Sequence, residues 1–119
     1  MIRLALAIWF GIINVATGQD AAVSGAGAVL RGLDKVNGQT IDVEIAPGMR
    51  ADVFGLQVEL DECRYPANNP TGDAFAYLVV REKDKAVIAF SGWMIASSPA
   101  LSALDHPRYD VWVLRCITS

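Results

Sequence analysis

The sequence predicts a mainly β protein: a small β-sandwich or partly open barrel with one short helix near 98–104 and one disulfide. Three observations carry this. Runs of five to ten apolar or alternating residues recur from Ala28 to Ile117. Turn formers separate them, among them Asn37-Gly38, Pro47-Gly48 and Pro66 to Gly72. The chain holds only two cysteines, Cys63 and Cys116, 53 residues apart. Short strands with turn signals at regular intervals are the pattern of a sandwich or barrel.

Taken in order, the chain opens with Arg3, an apolar run of 12 residues from Leu4 to Val15 broken only by Asn14, and the small residues Ala16-Thr17-Gly18. Charge, apolar run and small-residue cleavage site are the parts of a secretory signal, so residues 1–18 are expected to be removed after Gly18 and the protein to be periplasmic. The run falls short of the roughly 20 apolar residues that cross a bilayer. Left uncleaved, 4–15 would hold the domain peripherally at the membrane. Residues 19–27 are small and polar without periodicity and predict a flexible tether. A single β domain is expected over 28–119.

Ala28 to Val36 and Thr40 to Ile45 read as a hairpin joined through a type I′ turn at Asn37-Gly38. Met49 to Val53 and Leu56 to Asp61 form a second pair. Arg64 to Asp73 reads as a long loop. Ala74 to Arg81 is apolar on both alternating faces and predicts a central strand covered on both sides. After a charged turn at Glu82 to Lys85, the strand 86–95 contains Ser91-Gly92, a bulge signal. Ser98 as cap and Pro99 at the first helical position predict the short helix, which Asp105-His106-Pro107 ends. In the last strand, 109–117, strict alternation places Tyr109, Val111, Val113 and Arg115 on one face. Asp110, Trp112, Leu114 and Cys116 fall on the other.

Export makes a Cys63–Cys116 disulfide the expected state of the two cysteines. Cys63, Cys116 and His106 are too few for a zinc site, so no metal is expected. Without residues 1–18 the chain keeps nine basic and thirteen acidic residues, a formal charge of −4. Its Lys and Arg are scattered singly, which argues against nucleic acid. No cofactor motif is present.

The densest group of reactive side chains lies between Ser91 and Asp110. A hydrolase would take Ser98 as nucleophile and His106 as base, but no Gly-x-Ser-x-Gly frame surrounds them. Trp93, Trp112 and Phe90, embedded in apolar strands, are expected mainly as core. The expected interaction surface comprises Tyr65, Trp93, Ser97, Ser98, His106 and Tyr109. Either Trp93 and Trp112 are buried and the 91–113 segment is a structural clasp, or they line a groove and it is a site.

Phe90-Ser91-Gly92-Trp93-Met94-Ile95-Ala96-Ser97-Ser98-Pro99, then Leu101 to Pro107 and Tyr109-Asp110-Val111-Trp112-Val113 with Cys116, resemble the DUF2155 family. Leu30 to Val36 and Cys63 extend the resemblance over nearly all of the chain after Gly18. It implies a small exported alphaproteobacterial protein of uncharacterised function, with a genetic setting near an accessory subunit of respiratory complex I. It implies no catalytic residue. The leading expectation is therefore a non-enzymatic domain that binds an envelope or inner-membrane protein. The alternative is a glycan or small-molecule binder using Tyr65, Trp93, His106 and Tyr109, and the weaker one is the hydrolase.

Overall fold

The computed structural model describes residues 21–85 and 87–118. The export signal read at 1–18 lies outside the described residues. Eight strands follow one another: β1 (Ala22–Ser24), β2 (Gly27–Asp34), β3 (Thr40–Ile45), β4 (Arg50–Val53), β5 (Leu56–Pro66), β6 (Phe75–Glu82), β7 (Ile88–Ile95) and β8 (Tyr109–Ile117). They form two antiparallel sheets. In the first, β6 lies between β5 and β7, while β1 and β4 share the opposite side of the long β5. In the second, β2 is central between β3 and β8. The mainly β prediction holds, as two sheets that do not close into a barrel.

Alternation explains the core. Leu56, Val58 and Leu60 of β5, Ala76, Leu78 and Val80 of β6, and Val111 and Val113 of β8 are all buried, each two residues from the next. Both cysteines break this period, and each does so through a bulge. In β5 the pairing with β6 shifts between Leu60 and Glu62, which leaves Asp61 as the extra, exposed residue and turns Cys63 inward. In β8 the register shifts so that Val113 faces Leu30 and Arg115 faces Val29; Leu114 is the extra residue, and Cys116 turns inward. A one-residue insertion exchanges the two faces of a strand beyond it. Strict alternation had put Cys116 on the face away from Val113, and the bulge reverses that assignment. The Cys63–Cys116 disulfide thus forms inside the core, between the sheets, with Cys63 fully buried and Cys116 3% exposed.

Residues 25–26 cross from one sheet to the other over this bridge. Gly25 N–H donates to the Cys63 carbonyl at 2.7 Å, and Ala26 N–H donates to that of Ile117 at 2.7 Å. A Cβ on Gly25 would stand 2.8 Å from the Ile117 oxygen and 3.2 Å from Cys116 Cβ, so the crossing requires glycine. The expected tether over 19–27 is accordingly corrected for 22–27: β1 pairs with Arg64 to Pro66, and this extends β5 into what read as loop. Small polar residues lacked an apolar face to announce a strand, but backbone pairing along an edge does not need one.

Three further expectations change. The β2–β3 hairpin is present, but the loop spans 35–39 and only Gly38 has positive φ, at 76°, so a type I′ turn, which needs two such residues, is excluded. The bulge in β7 sits at Ala89, between the partners of Val80 and Arg81, while Ser91 and Gly92 pair regularly. The helix at 98–104 does not form. Ser98 accepts a single bond from Leu101 N–H at 3.1 Å, closing one turn with Pro99 at its second position. Leu104 reaches the core, at 4% exposed, but Leu101 is 76% exposed. One apolar anchor cannot hold a seven-residue helix that is marginal by itself.

Because the sheets share no strand ladder, the disulfide carries much of their connection. The Cys63→Ser/Cys116→Ser variant is expected to lose about 2–5 kcal/mol of unfolding free energy. Denaturant titration by tryptophan fluorescence, with the oxidised parent alongside, measures it.

Candidate functional site

Residues 96–108 run from the end of β7 to the start of β8, and Leu104 inserts midway into the core. Asp73 fixes the first end of this strap. Its Oδ1 accepts from Ala74 N–H at 2.8 Å and Ser97 N–H at 3.0 Å, and its Oδ2 accepts from the Ser97 hydroxyl at 2.7 Å. Ser97 is thereby a structural residue. Ser98 belongs to the adjoining turn.

His106 fixes the second end. Its Nδ1 accepts from Arg108 N–H at 3.0 Å and Tyr109 N–H at 3.1 Å. Two donors aimed at Nδ1 assign the ring proton to Nε2, which donates to Glu82 Oε1 at 2.7 Å. Lys35, just after β2, reinforces the corner: its ammonium donates to the His106 carbonyl and its N–H to that of Arg108, both at 2.8 Å. The Arg108 guanidinium holds the buried Asp34 carboxylate through Nη2 at 3.1 Å. The Tyr109 ring stacks with His106, with centroids 5.3 Å apart, and with Phe54, at 6.0 Å. That ring lies so close to Gly55 that a Cβ there would meet it at 2.8 Å. Phe54 adopts φ 54°, a strained backbone for an aromatic residue, where it packs on Tyr109.

Both carboxylates of this corner are held below the usual carboxylate range. For Glu82 the cause is first the hydrogen bond from His106, then Lys85, against the opposing effect of burial. For Asp34 it is first the bond from Arg108, again against burial and with help from Val36 N–H.

The six residues of the expected surface therefore occupy separate places. His106 and Tyr109 form the corner just described, and Ser97 and Ser98 start the strap. Tyr65 lies on β5 beside Val23 of β1 and packs against the core. Trp93 stands on the outer face of the first sheet, 40% exposed, edge-on to Tyr77 at 5.4 Å. The pairing of Ser98 with His106 is absent, because both nitrogens of His106 are committed to Arg108, Tyr109 and Glu82. Nor do Tyr65, Trp93, His106 and Tyr109 converge on one cavity. Trp112 is half-buried on the outer face of the second sheet, opposite Arg31, where it lines a groove of about 250 Å³ together with Pro99, Ala103, Asp110 and Val111. Among the described residues no group of three His, Cys, Asp or Glu could hold a metal, and no helix is long and apolar enough to cross a membrane.

The surface that remains is the outer face of β6 and β7. Register pairs Phe75 with Ile95, Tyr77 with Trp93 and Val79 with Ser91. Their inward neighbours Ala76, Leu78 and Met94 are buried, whereas Phe75, Tyr77 and Val79 are half-buried and Trp93 exposed. The expected covering of this hairpin on both sides is thus corrected to one covered face and one wet aromatic face. Glu59, Arg81, Glu62 and Arg64 give that face a charged margin along β5 and β6. Reading the sequence missed Tyr77 as a surface residue, and also Asp34, Glu82, Asp73 and Arg108 as strap anchors. Their partners lie between 24 and 74 residues away, with no local pattern to link them.

Fold and site together define a small, disulfide-tied, two-sheet β domain with one aromatic outer face. The chain belongs to the DUF2155 family, described as an uncharacterized protein conserved in bacteria, which matches residues 28–116. It is similar to the uncharacterized protein RP359 of Rickettsia prowazekii (strain Madrid E), 22% identical over 87 residues. That match covers 71% of this chain and 56% of the relative, so the chain spans about half the length of the curated relative it matches. No solved structure is significantly similar to it.

With folded values below the ordinary range, Asp34 and Glu82 release protons more readily folded than unfolded. Their stabilising contribution is complete above about pH 5 and is lost as pH falls through the folded values. Urea midpoints measured from pH 7 to pH 3 are expected to be level and then to fall. Asp34→Asn and Glu82→Gln should be less stable than the parent at pH 7 and approach it at pH 3.

Proposed function

We propose that the chain is an exported, non-enzymatic accessory domain that binds another protein of the cell envelope through the outer face of β6 and β7. The observation that carries this reading is Trp93, 40% exposed and set edge-on against Tyr77 of the neighbouring strand on the outer sheet face. Large aromatic residues with a charged margin make the centre and rim of protein interfaces. The engagement of Ser97, His106 and Tyr109 in holding the strap supports a binding rather than a catalytic use of the molecule. A disulfide buried between the sheets supports an oxidising compartment, the periplasm for an exported bacterial chain. Within that reading, an inner-membrane complex is the narrower partner class, with respiratory complex I the instance that the family's genetic setting suggests.

A photo-crosslinking residue placed at 93 tests this in the native host. Irradiation of intact cells is expected to give a discrete heavier species that a probe at Val36, itself 74% exposed at a loop tip, does not give. Tyr77→Ala in the probe-bearing chain should reduce its yield about tenfold, in line with loss of a central aromatic contact. Equal, diffuse labelling from positions 93 and 36 would falsify the proposal. Mass spectrometry of the adduct identifies the partner.

A further inference from the structure

We infer that β7 is a self-pairing edge: two copies of this chain join β7 to β7 in antiparallel register, across a two-fold axis at Ser91, so that one sheet continues into the other. This rests on the docking reading only in that the doubled sheet would enlarge the aromatic face. The pairing itself is decided on purified protein.

Among the described residues, Ile88–Met94 form their backbone pairs with β6 alone. The strap leaves β7 through bonds to Ala74, Ile95 and Ser98 and makes none to residues 88–94. Among the described residues, one side of an eight-residue strand therefore presents its N–H and C=O groups without a partner. The other strands at sheet edges carry charges that oppose strand addition: Asp42 and Glu44 in β3, Arg50 and Asp52 in β4, Asp110 and Arg115 in β8. β1, also uncharged, has only three residues. β7 is the one strand longer than three residues with no charged side chain, and it contains no proline.

The composition of that edge selects the occupant. Any strand laid against β7 sets its side chains beside Ile88, 54% exposed, and Trp93, where a charge would lose water without gaining a counterion. The fitting partner is an uncharged strand of similar length, and a second β7 supplies one. Two-fold pairing also keeps the faces in step, since residues opposite one another in an antiparallel pair point the same way. Ser91 and Trp93 of each copy then share the outer face, while Phe90, Gly92 and Met94 share the inner one. Such an interface is isologous and closes after two copies, which limits further growth.

Sedimentation equilibrium of protein recovered from cells expressing the full sequence tests the inference. A monomer–dimer equilibrium is expected that holds or tightens as salt rises, because the seam is uncharged and both copies are acidic. Ser91→Glu sets like charges together at the axis and should weaken the dimer about tenfold or more, whereas Val36→Glu should leave it unchanged. As a second readout, mild oxidation of Ser91→Cys should give a covalent dimer, and Val36→Cys none. A chain that stays monomeric at every concentration, a dimer indifferent to Ser91→Glu, or folded Ser91→Cys protein that never cross-links would each overturn it.

Discussion

Everything in this molecule rests on the covalent tie between two sheets that share no strand ladder. Cys63 and Cys116 meet inside the core because Asp61 and Leu114, each two residues earlier, are extra residues in their strands. The two bulges are matched devices. Each exchanges the faces of its strand at the point where a cysteine must turn inward, and the crossing at Gly25 and Ala26 is laid directly over the result. A loop of this length closed in the unfolded chain is worth about 4 kcal/mol by chain entropy, a large part of the stability of a domain this small.

With the sheets held, their remaining problem is the side on which they do not meet. The strap solves it with one buried side chain, Leu104, and two polar anchors, Asp73 at its start and the His106 corner at its end. Residues that look reactive in one dimension are thereby committed to structure. His106 is the clearest case, since each ring nitrogen already has its partner. Of the two tryptophans that were to decide between clasp and site, Trp112 is half-buried and lines a groove with Pro99 and Ala103 of the strap, and Trp93 lies on the open face.

Much of the fold was legible because apolar alternation records which face is wet. β3, β6 and β8 stand where the pattern put them, and the disulfide was expected from the export signal read at 1–18 and from cysteine number. What the pattern could not carry was anything set by pairing rather than by composition. β1 has three small residues, and nothing in them announces a strand until Arg64 to Pro66 lie alongside. Likewise the continuous apolar run of β6 does not reveal that only its inner half is covered, so the aromatic face was read as core. The bulges were invisible for a related reason: Asp61 and Leu114 are ordinary strand residues, and only the register across to β6 and β2 identifies them as extra.

Deletion of Asp61 tests the matched-bulge account most directly. Removing the extra residue leaves Leu60, Glu62 and Cys63 in strict alternation, with position 63 still facing inward. Counting thiols by alkylation and mass spectrometry under non-reducing conditions should then find Cys63 and Cys116 still joined at parental yield. A deletion variant in which both cysteines are free would contradict it.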